Sequence, residues 1–382
     1  MESIRRILQK EIEKRIRKQK VMLLFGARRV GKTVLLKKVI NDFTGKTLLL
    51  NGESMDTSRM LSERTSENYR RLFSDVDLLA IDEAQHIPDI GQSLKFMVDE
   101  LPNIAIITTG SSAFDLQNRA GEPLVGRSTR FFLPPLSMEE LMEGETAYET
   151  ITETPHRIVY GFYPELFSLE NDDERQEYLR DVVDSYLLRD ILAIDGVKHS
   201  QKLYNLLRLI AWQTGSEVSM DELGKQLGLS RNTVERYMDL LEKVFVIFRL
   251  GGYSKNLRKE VSKSSKWYYY DTGIRNAILQ DFRPLDGRPE SEKGALWENF
   301  IISERQKLKH NHRLGTNFYF WRTYDRQEID LIEETGPELA AYEIKAGNKP
   351  PKAPKSFIEA YPDASFDTIN RNNYLDYVKV SG

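Results

Sequence analysis

Short apolar runs of four or five residues recur through the first third of the chain, separated by longer amphipathic stretches. Val21–Phe25, Thr47–Leu50, Leu78–Ile81 and Ile104–Thr108 are too short for helices and rich in Val, Ile and Leu, so they predict strands of a buried parallel sheet. Helical patterns lie between them, as in Val34–Ile40. Strands alternating with helices predict a doubly wound α/β domain over residues 1–135, with ligands bound at the carboxyl ends of the strands. Ahead of the first strand, Ile4, Ile7, Leu8, Ile12 and Ile16 recur at helical spacing, which suits a helix packed on the domain.

The pattern then changes. Residues 136–195 predict an acidic helical connector with a turn at Gly161-Phe-Tyr-Pro164, and no chemistry is expected there. Residues 196–275 predict a winged helix-turn-helix. Met220–Leu227 makes a short helix closed by Gly228, and Ser230 caps the helix that begins at Arg231 and runs to Lys243. Leu223, Leu227, Val234, Met238 and Leu241 should face the core, leaving Arg231, Asn232, Thr233, Arg236 and Tyr237 outward. Two strand-like runs follow, Val244–Leu250 and Trp267–Tyr270, and the loop between them carries Lys255, Arg258, Lys259, Lys263 and Lys266 as a basic wing. Arg231, Asn232, Arg236, Lys255, Arg258 and Lys259 are thus candidate DNA contacts. A protein-interaction module or an ATPase lid would have the same pattern. Residues 276–382 predict an α/β domain: an amphipathic helix from Glu290, strands at Asn317–Arg322 and Gln327–Ile332, and a third ending in Glu343-Ile-Lys345.

Gly26-Ala-Arg-Arg-Val-Gly-Lys-Thr33 follows the first strand directly and opens the first helix. This is the spacing of a P-loop (Walker A), whose backbone N–H groups, helix N-terminus and lysine gather phosphate oxygens. Gly26, Ala27, Arg28, Arg29, Val30, Gly31, Lys32, Thr33 and Val34 are the expected nucleotide-binding residues, with Lys32 on the β- and γ-phosphates and Thr33 on Mg2+. The strand ending in Asp82-Glu83-Ala-Gln85 supplies the partners: Asp82 for the ion, Glu83 to polarise the attacking water. Ser111, after the strand from Ile104, is placed to orient water or sense the γ-phosphate. Arg127 and Arg130 are arginine-finger candidates toward a neighbouring subunit's phosphate, which would make the chain a homo-oligomer.

In the last segment Glu343 and Lys345 share a strand face, with Ile344 directed inward. Asp330 lies on the neighbouring strand and Glu298 on the helix. Carboxylates of Glu298, Asp330 and Glu343 holding Mg2+ or Mn2+, with Lys345 steadying the developing phosphate charge, would cleave a phosphodiester. A salt-bridged sheet surface, or an inactive remnant of such a site, remains the competing expectation.

Taken together, these motifs resemble a widespread prokaryotic family of AAA-type P-loop ATPases with a C-terminal domain of unassigned function. The resemblance is carried by the P-loop, Asp82-Glu83-Ala-Gln85, Thr109-Gly-Ser-Ser112, Gly126-Arg127, Pro135-Leu-Ser137, Leu296-Trp-Glu298-Asn-Phe300, Glu328-Ile-Asp330-Leu and Glu343-Ile-Lys345. It implies a winged helix in the middle and a restriction-endonuclease-like fold at the end. Ile329 stands where that fold's usual signature has a proline.

Composition narrows the picture. The absence of cysteine excludes disulfides, thiolate metal sites and thiol catalysis. No apolar run approaches the ~20 residues that span a bilayer, and no signal peptide is visible, so a cytoplasmic protein with no membrane partner is expected. The formal net charge of −3 conceals segregation: residues 1–40 carry 13 Lys and Arg against 3 Glu, and residues 137–190 carry 15 acids against 4 Arg. The basic start suits either nucleic acid or a solvated helix face. The expected function is ATP hydrolysis acting on DNA, with metal-dependent nuclease action in prospect. The rival is a nucleotide-switched DNA- or protein-binding regulator whose nuclease-like domain does not cut.

Overall fold

A computed structural model describes residues 4–110, 124–187, 200–254, 265–323, 327–347 and 352–380. The chain forms two compact units. One takes in Ser3–Pro134, together with His310–His312; the other takes in Pro135–Lys309 and the chain from Arg313 onward.

The first unit is built on a five-stranded sheet of order β2-β3-β4-β1-β5, with every pair parallel: β1 Val21–Phe25, β2 Thr47–Asn51, β3 Leu78–Asp82, β4 Ala105–Gly110 and β5 Ser128–Phe132. β1, β3 and β4 are almost wholly buried, as their continuous apolar runs require. β2 is an edge strand, half-exposed along its length. β5 closes the other edge; its Ser-Thr-Arg start hides it from an apolar-run search, and Arg130 lies on it. Order matters for function here. β1 lies beside β4, and β4 beside β3, so the carboxyl ends of β1 and β3 flank the end of β4. The helix Ile7–Glu13 buries Leu8 and Ile12.

In the second unit one seven-stranded sheet has the order β12-β11-β10-β9-β7-β8-β6. Its strands are β6 Glu217–Val218, β7 Ile247–Gly252, β8 Ser265–Tyr269, β9 Thr316–Arg322, β10 Glu328–Thr335, β11 Glu338–Ile344 and β12 Ser365–Ile369. The strands after the helix-turn-helix therefore continue into the C-terminal strands through a parallel β7–β9 pairing. Met220–Leu227 ends at Gly228 in the left-handed conformation, and Ser230 caps Arg231–Lys243 by accepting from the Thr233 N–H. Leu223, Val234, Met238 and Leu241 are buried and Leu227 is half-buried. Tyr237 corrects the sequence reading. Expected on the outer face, it is 1% exposed, because the core side of this helix is wide enough to take positions 237, 238, 240 and 241.

The acidic connector is part of this core. Asn276, on the helix Thr272–Leu279, donates to the carbonyls of Val159 and Ile158 at the end of the helix Ala147–Tyr160. Buried Asp271 accepts from the N–H groups of Phe162 and Ile274. The long helix Glu290–Asn311 adds Glu304, which accepts from the Met138 N–H, and Lys307, which donates to the Leu136 carbonyl; the two also pair with each other, fully buried. Among the described residues no helix is long and apolar enough to cross a membrane.

Candidate functional site

The P-loop leaves β1 and turns into the helix Lys32–Asp42 at Gly31, whose φ of 95° lies in the left-handed region. That turn aims the first N–H groups of the helix into the loop, and Gly31, at the capping position, has no side chain to cap them. Lys32 is 5% exposed, and its ammonium donates to the carbonyls of Gly26 and Ala27 at 3.0 and 2.9 Å. Val30 is buried, Gly26 is buried, and Ala27 and Arg28 are half-buried; Arg29, with φ 66°, and Val34 are exposed. Sequence inspection overlooks Arg6. Its buried guanidinium donates to the carbonyls of Val30 and Pro134 at 2.8 and 2.7 Å, tying the loop to the chain beyond β5.

Thr33 donates its hydroxyl hydrogen to Asp82 Oδ2 at 2.8 Å, joining the end of the P-loop to the end of β3. Thr109 of β4 donates to the other Asp82 oxygen and accepts from the Glu83 N–H at 3.0 Å. Glu83 is held at φ 51°, a left-handed conformation that costs a non-glycine residue about 1–3 kcal/mol. Its carboxylate accepts from Gln85 Nε2. Gly52 permits this turn: a Cβ there would lie 2.4 Å from the Glu83 carbonyl oxygen. A hydroxyl and a carboxylate at hydrogen-bonding distance beside an uncapped helix start and a buried lysine form a hard-oxygen donor set that suits Mg2+ carrying a polyphosphate. Arg127 pairs with Asp99 at 2.8 Å, and Arg130 is exposed on β5. Ser111 lies outside the described residues.

The second constellation lies where β8, β10 and β11 meet the helix Glu290–Asn311. Asp330 sits at a register shift between β10 and β9, a bulge of the kind that re-aims a side chain. Its Oδ2 accepts from the Ile344 N–H at 2.8 Å and lies 3.9 Å from Lys345 Nζ. Lys345 also pairs with Glu343 at 2.7 Å. Glu298 Oε1 accepts from Tyr268 Oη at 2.6 Å and lies 3.5 Å from Lys266 Nζ, which also pairs with Glu328.

Lys266, read from sequence as a solvated wing cation, is instead buried on β8, its side chain 4% exposed. Alternation along that strand puts it on the same face as Tyr268. Glu328 stands in the Glu328-Ile-Asp330-Leu piece but the motif assigns it no role, and Tyr268 lies outside the motif; the i, i+2 spacing of Lys266 and Tyr268 is the sequence signal for it. Burial, then Asp330, pushes the Glu298 carboxyl up to about 7 against the opposing pull of Lys266. Burial raises Asp330 and Glu343 as well, while Lys345 and Lys266 are held charged by the surrounding carboxylates against burial. The ion pairs of Lys345 bring Asp330 and Glu343 together, and the charge of Asp330 acts on Glu298. Among the described residues, however, no three His, Asp or Glu side chains are grouped closely enough to hold a metal ion. Each carboxylate already has a protein cation or donor, so the expected Mg2+ or Mn2+ donor set of Glu298, Asp330 and Glu343 does not fit as arranged.

On the helix-turn-helix, Arg231, Asn232 and Arg236 are exposed. Arg231 is paired with Asp221 and Glu235, and Arg236 packs over the Tyr237 ring. Lys255, Arg258, Lys259 and Lys263 lie outside the described residues.

Comparison with known proteins gives a domain match over the residues that contain the first of these sites. Residues 18–142 match a family model described as an AAA domain; residues 151–284 and 293–376 match two domains of unknown function, DUF8612 and DUF4143. An uncharacterized protein of Mycobacterium tuberculosis is 26% identical, covering 86% of this chain and 71% of its own length. One from Methanocaldococcus jannaschii is 24% identical, covering 96% and 84%. Among solved structures, a signal-transduction ATPase with a tetratricopeptide repeat sensor from Pyrococcus horikoshii is 13% identical with a TM-score of 0.29. It is covered over 47% of its length, against 80% of this chain, which thus spans about half of that protein. The Holliday junction branch migration motor RuvB of Thermotoga maritima is 16% identical with a TM-score of 0.28, covering 64% of this chain and 86% of that one. The matched residues and the P-loop geometry together identify an AAA domain over residues 18–142, joined in this chain to C-terminal residues that match a domain of unknown function.

Proposed function

We propose that this chain binds ATP with Mg2+ and hydrolyses it, and that the resulting conformational cycle acts on DNA. The observation that carries the first part is the Thr33–Asp82 hydrogen bond, with Lys32 in the loop beside it. Mg2+ would be held by the Thr33 hydroxyl and Asp82 and would neutralise phosphate charge. Lys32 adds a fixed positive charge at the β- and γ-phosphates, and the N–H groups at the start of Lys32–Asp42 donate to phosphate oxygens. Glu83, beyond the end of β3, accepts a hydrogen bond from water and turns that water's lone pair toward the phosphorus. Thr109 fixes Asp82 and the Glu83 backbone in register. The test is release of inorganic phosphate from ATP in Mg2+. Wild type should turn over and Lys32→Ala should not; equal rates would overturn the assignment.

The helix-turn-helix supports the choice of DNA, with Asn232 and Arg236 exposed on its second helix. For the C-terminal cluster a second reading has an observation in its favour. Lys266 already pairs with both Glu298 and Glu328, which supports a unit that engages its partner without metal-dependent cutting. Linear, circular and branched DNA incubated with the protein in Mg2+ or Mn2+ should stay intact. Cleavage by wild type that Asp330→Ala abolishes, with ATPase activity unchanged, would restore the nuclease reading.

A further inference from the structure

We propose that Lys266 is the resident cation of the Glu298, Glu328, Asp330 and Glu343 cluster, and that its hold on Glu298 is what opposes binding of a divalent ion there. This rests on the reading that the C-terminal unit does not use a metal to cut.

Geometry and charge carry the argument. The four carboxylates and the three cations paired with them, Lys266, Lys345 and Arg322 (whose Nε lies 3.7 Å from Glu328), sum formally to −1 (four negative charges against three positive), so the cluster has a standing demand for positive charge. Lys345 is 47% exposed and meets that demand from the rim, bonded to Glu343. Lys266 meets it from inside. Its side chain is 4% exposed, which leaves its ammonium little water to turn to, and its partners are the carboxylates of Glu328 and Glu298. A buried ammonium is tolerated only when paired in this way. The residue arrives on β8, two strands away from β9 in the sheet, and Tyr268 from the same face binds the same Glu298 oxygen. Glu298 Oε1 is thereby engaged by two protein donors, Tyr268 and Lys266, with which an incoming ion would have to compete. A divalent ion brought to the cluster would also meet the like charge of Lys266 at short range in a poorly screened site.

Removing that charge should therefore open the cluster to a metal. Mn2+ alone would be titrated calorimetrically into the full chain without nucleotide, with Asp82→Asn present throughout so that the P-loop carboxylate contributes nothing. Lys266→Gln should tighten Mn2+ binding by about tenfold or more, Lys266→Arg should leave it weak, and Asp330→Asn added to Lys266→Gln should remove the gain. Affinity within about twofold of the Lys266 protein would overturn the proposal, since a lysine with a purely structural role would not change it. A second measurement uses folded chains that keep Lys266 and stands whether or not Lys266→Gln folds. Mn2+ should raise the melting temperature of the Asp82→Asn chain no more than that of the chain also carrying Asp330→Asn. A stabilisation lost with Asp330→Asn would show a divalent site coexisting with Lys266 and would overturn the inference. These outcomes are separable from the reading beneath them: Asp330-dependent DNA cleavage would sink that reading, whereas unchanged Mn2+ affinity in Lys266→Gln sinks only the role given to Lys266.

Discussion

Thr109 sits on β4 between the P-loop strand and the Asp82 strand, and its hydroxyl serves both sides: it donates to Asp82 and accepts from the Glu83 N–H. Single hydrogen bonds of this kind decide what Glu83 can do. Its backbone is pinned in a left-handed conformation, and its carboxylate leans on Gln85, so the group is held in place before any ligand arrives. Glu83→Gln keeps the shape and loses the basic oxygen. We expect nucleotide affinity within about threefold of wild type and turnover reduced by about a hundredfold or more, read by equilibrium binding and phosphate release side by side. Equal loss of binding in Glu83→Gln and Lys32→Ala would contradict the separate roles given to them.

The helix Arg231–Lys243 illustrates what periodicity can miss at the scale of an element. Charged and polar residues define its outer face in the sequence, and Tyr237 groups with them because tyrosine tolerates water. The tertiary environment buries it almost completely, alongside Met238 and Leu241. Tyr237→Ala should therefore destabilise the second unit by about 3–5 kcal/mol in denaturant unfolding, as a buried aromatic does; a surface tyrosine would cost within about 0.5 kcal/mol.

A second element-scale feature is the junction between Thr272–Leu279 and Glu290–Asn311, stapled by Asp281, Arg283, Arg288 and Glu292. Hydrogen bonding from Arg283, with the charge of Arg288, holds the Asp281 carboxyl down at about 2 against the opposing effect of burial. The folded value lies below the ordinary 3.8, so the carboxylate stabilises the fold above that pH and loses its contribution as pH falls through about 2. Asp281→Asn should cost about 1–2 kcal/mol at neutral pH, discounted for the exposure of Arg283, and its deficit relative to wild type should shrink progressively in melts below about pH 4. A deficit constant across that range would assign the effect to packing.

Considered as a whole molecule, the chain carries its charge in blocks, and DNA affinity is the property that tests their use. Replacing Lys255, Arg258 and Lys259 together with Ala should flatten the salt dependence of DNA binding, because each lost phosphate contact lowers the log–log slope by about 0.9. Arg231→Ala should change the slope less, since Asp221 and Glu235 already claim its guanidinium. Fluorescence anisotropy between 50 and 200 mM salt reads both (about the range over which such slopes are resolved). An unchanged slope in the triple variant would favour a protein-docking or lid role for the helix-turn-helix.

Local chemistry let the sequence determine the first unit's nature. Short apolar runs bounded by turn signals mark strands, glycines and a lysine at P-loop spacing need one particular turn, and Ser230 and Gly228 mark helix ends. β5 escaped because its first residues are polar, and Arg6 because a buried guanidinium tying two distant carbonyls leaves no periodic trace. Across the second unit the same local signals found helices and strands but not their partners. Only the tertiary structure decided that β7 pairs with β9, and with it that β8 delivers Lys266 and Tyr268 to Glu298 and Glu328. The physical reason is separation along the chain. Lys266 and Glu328 are distant in sequence, and a lysine's charge state and solvation are fixed by what the fold puts beside it, so a residue that looks like a solvated wing cation becomes the buried counter-ion of a carboxylate cluster.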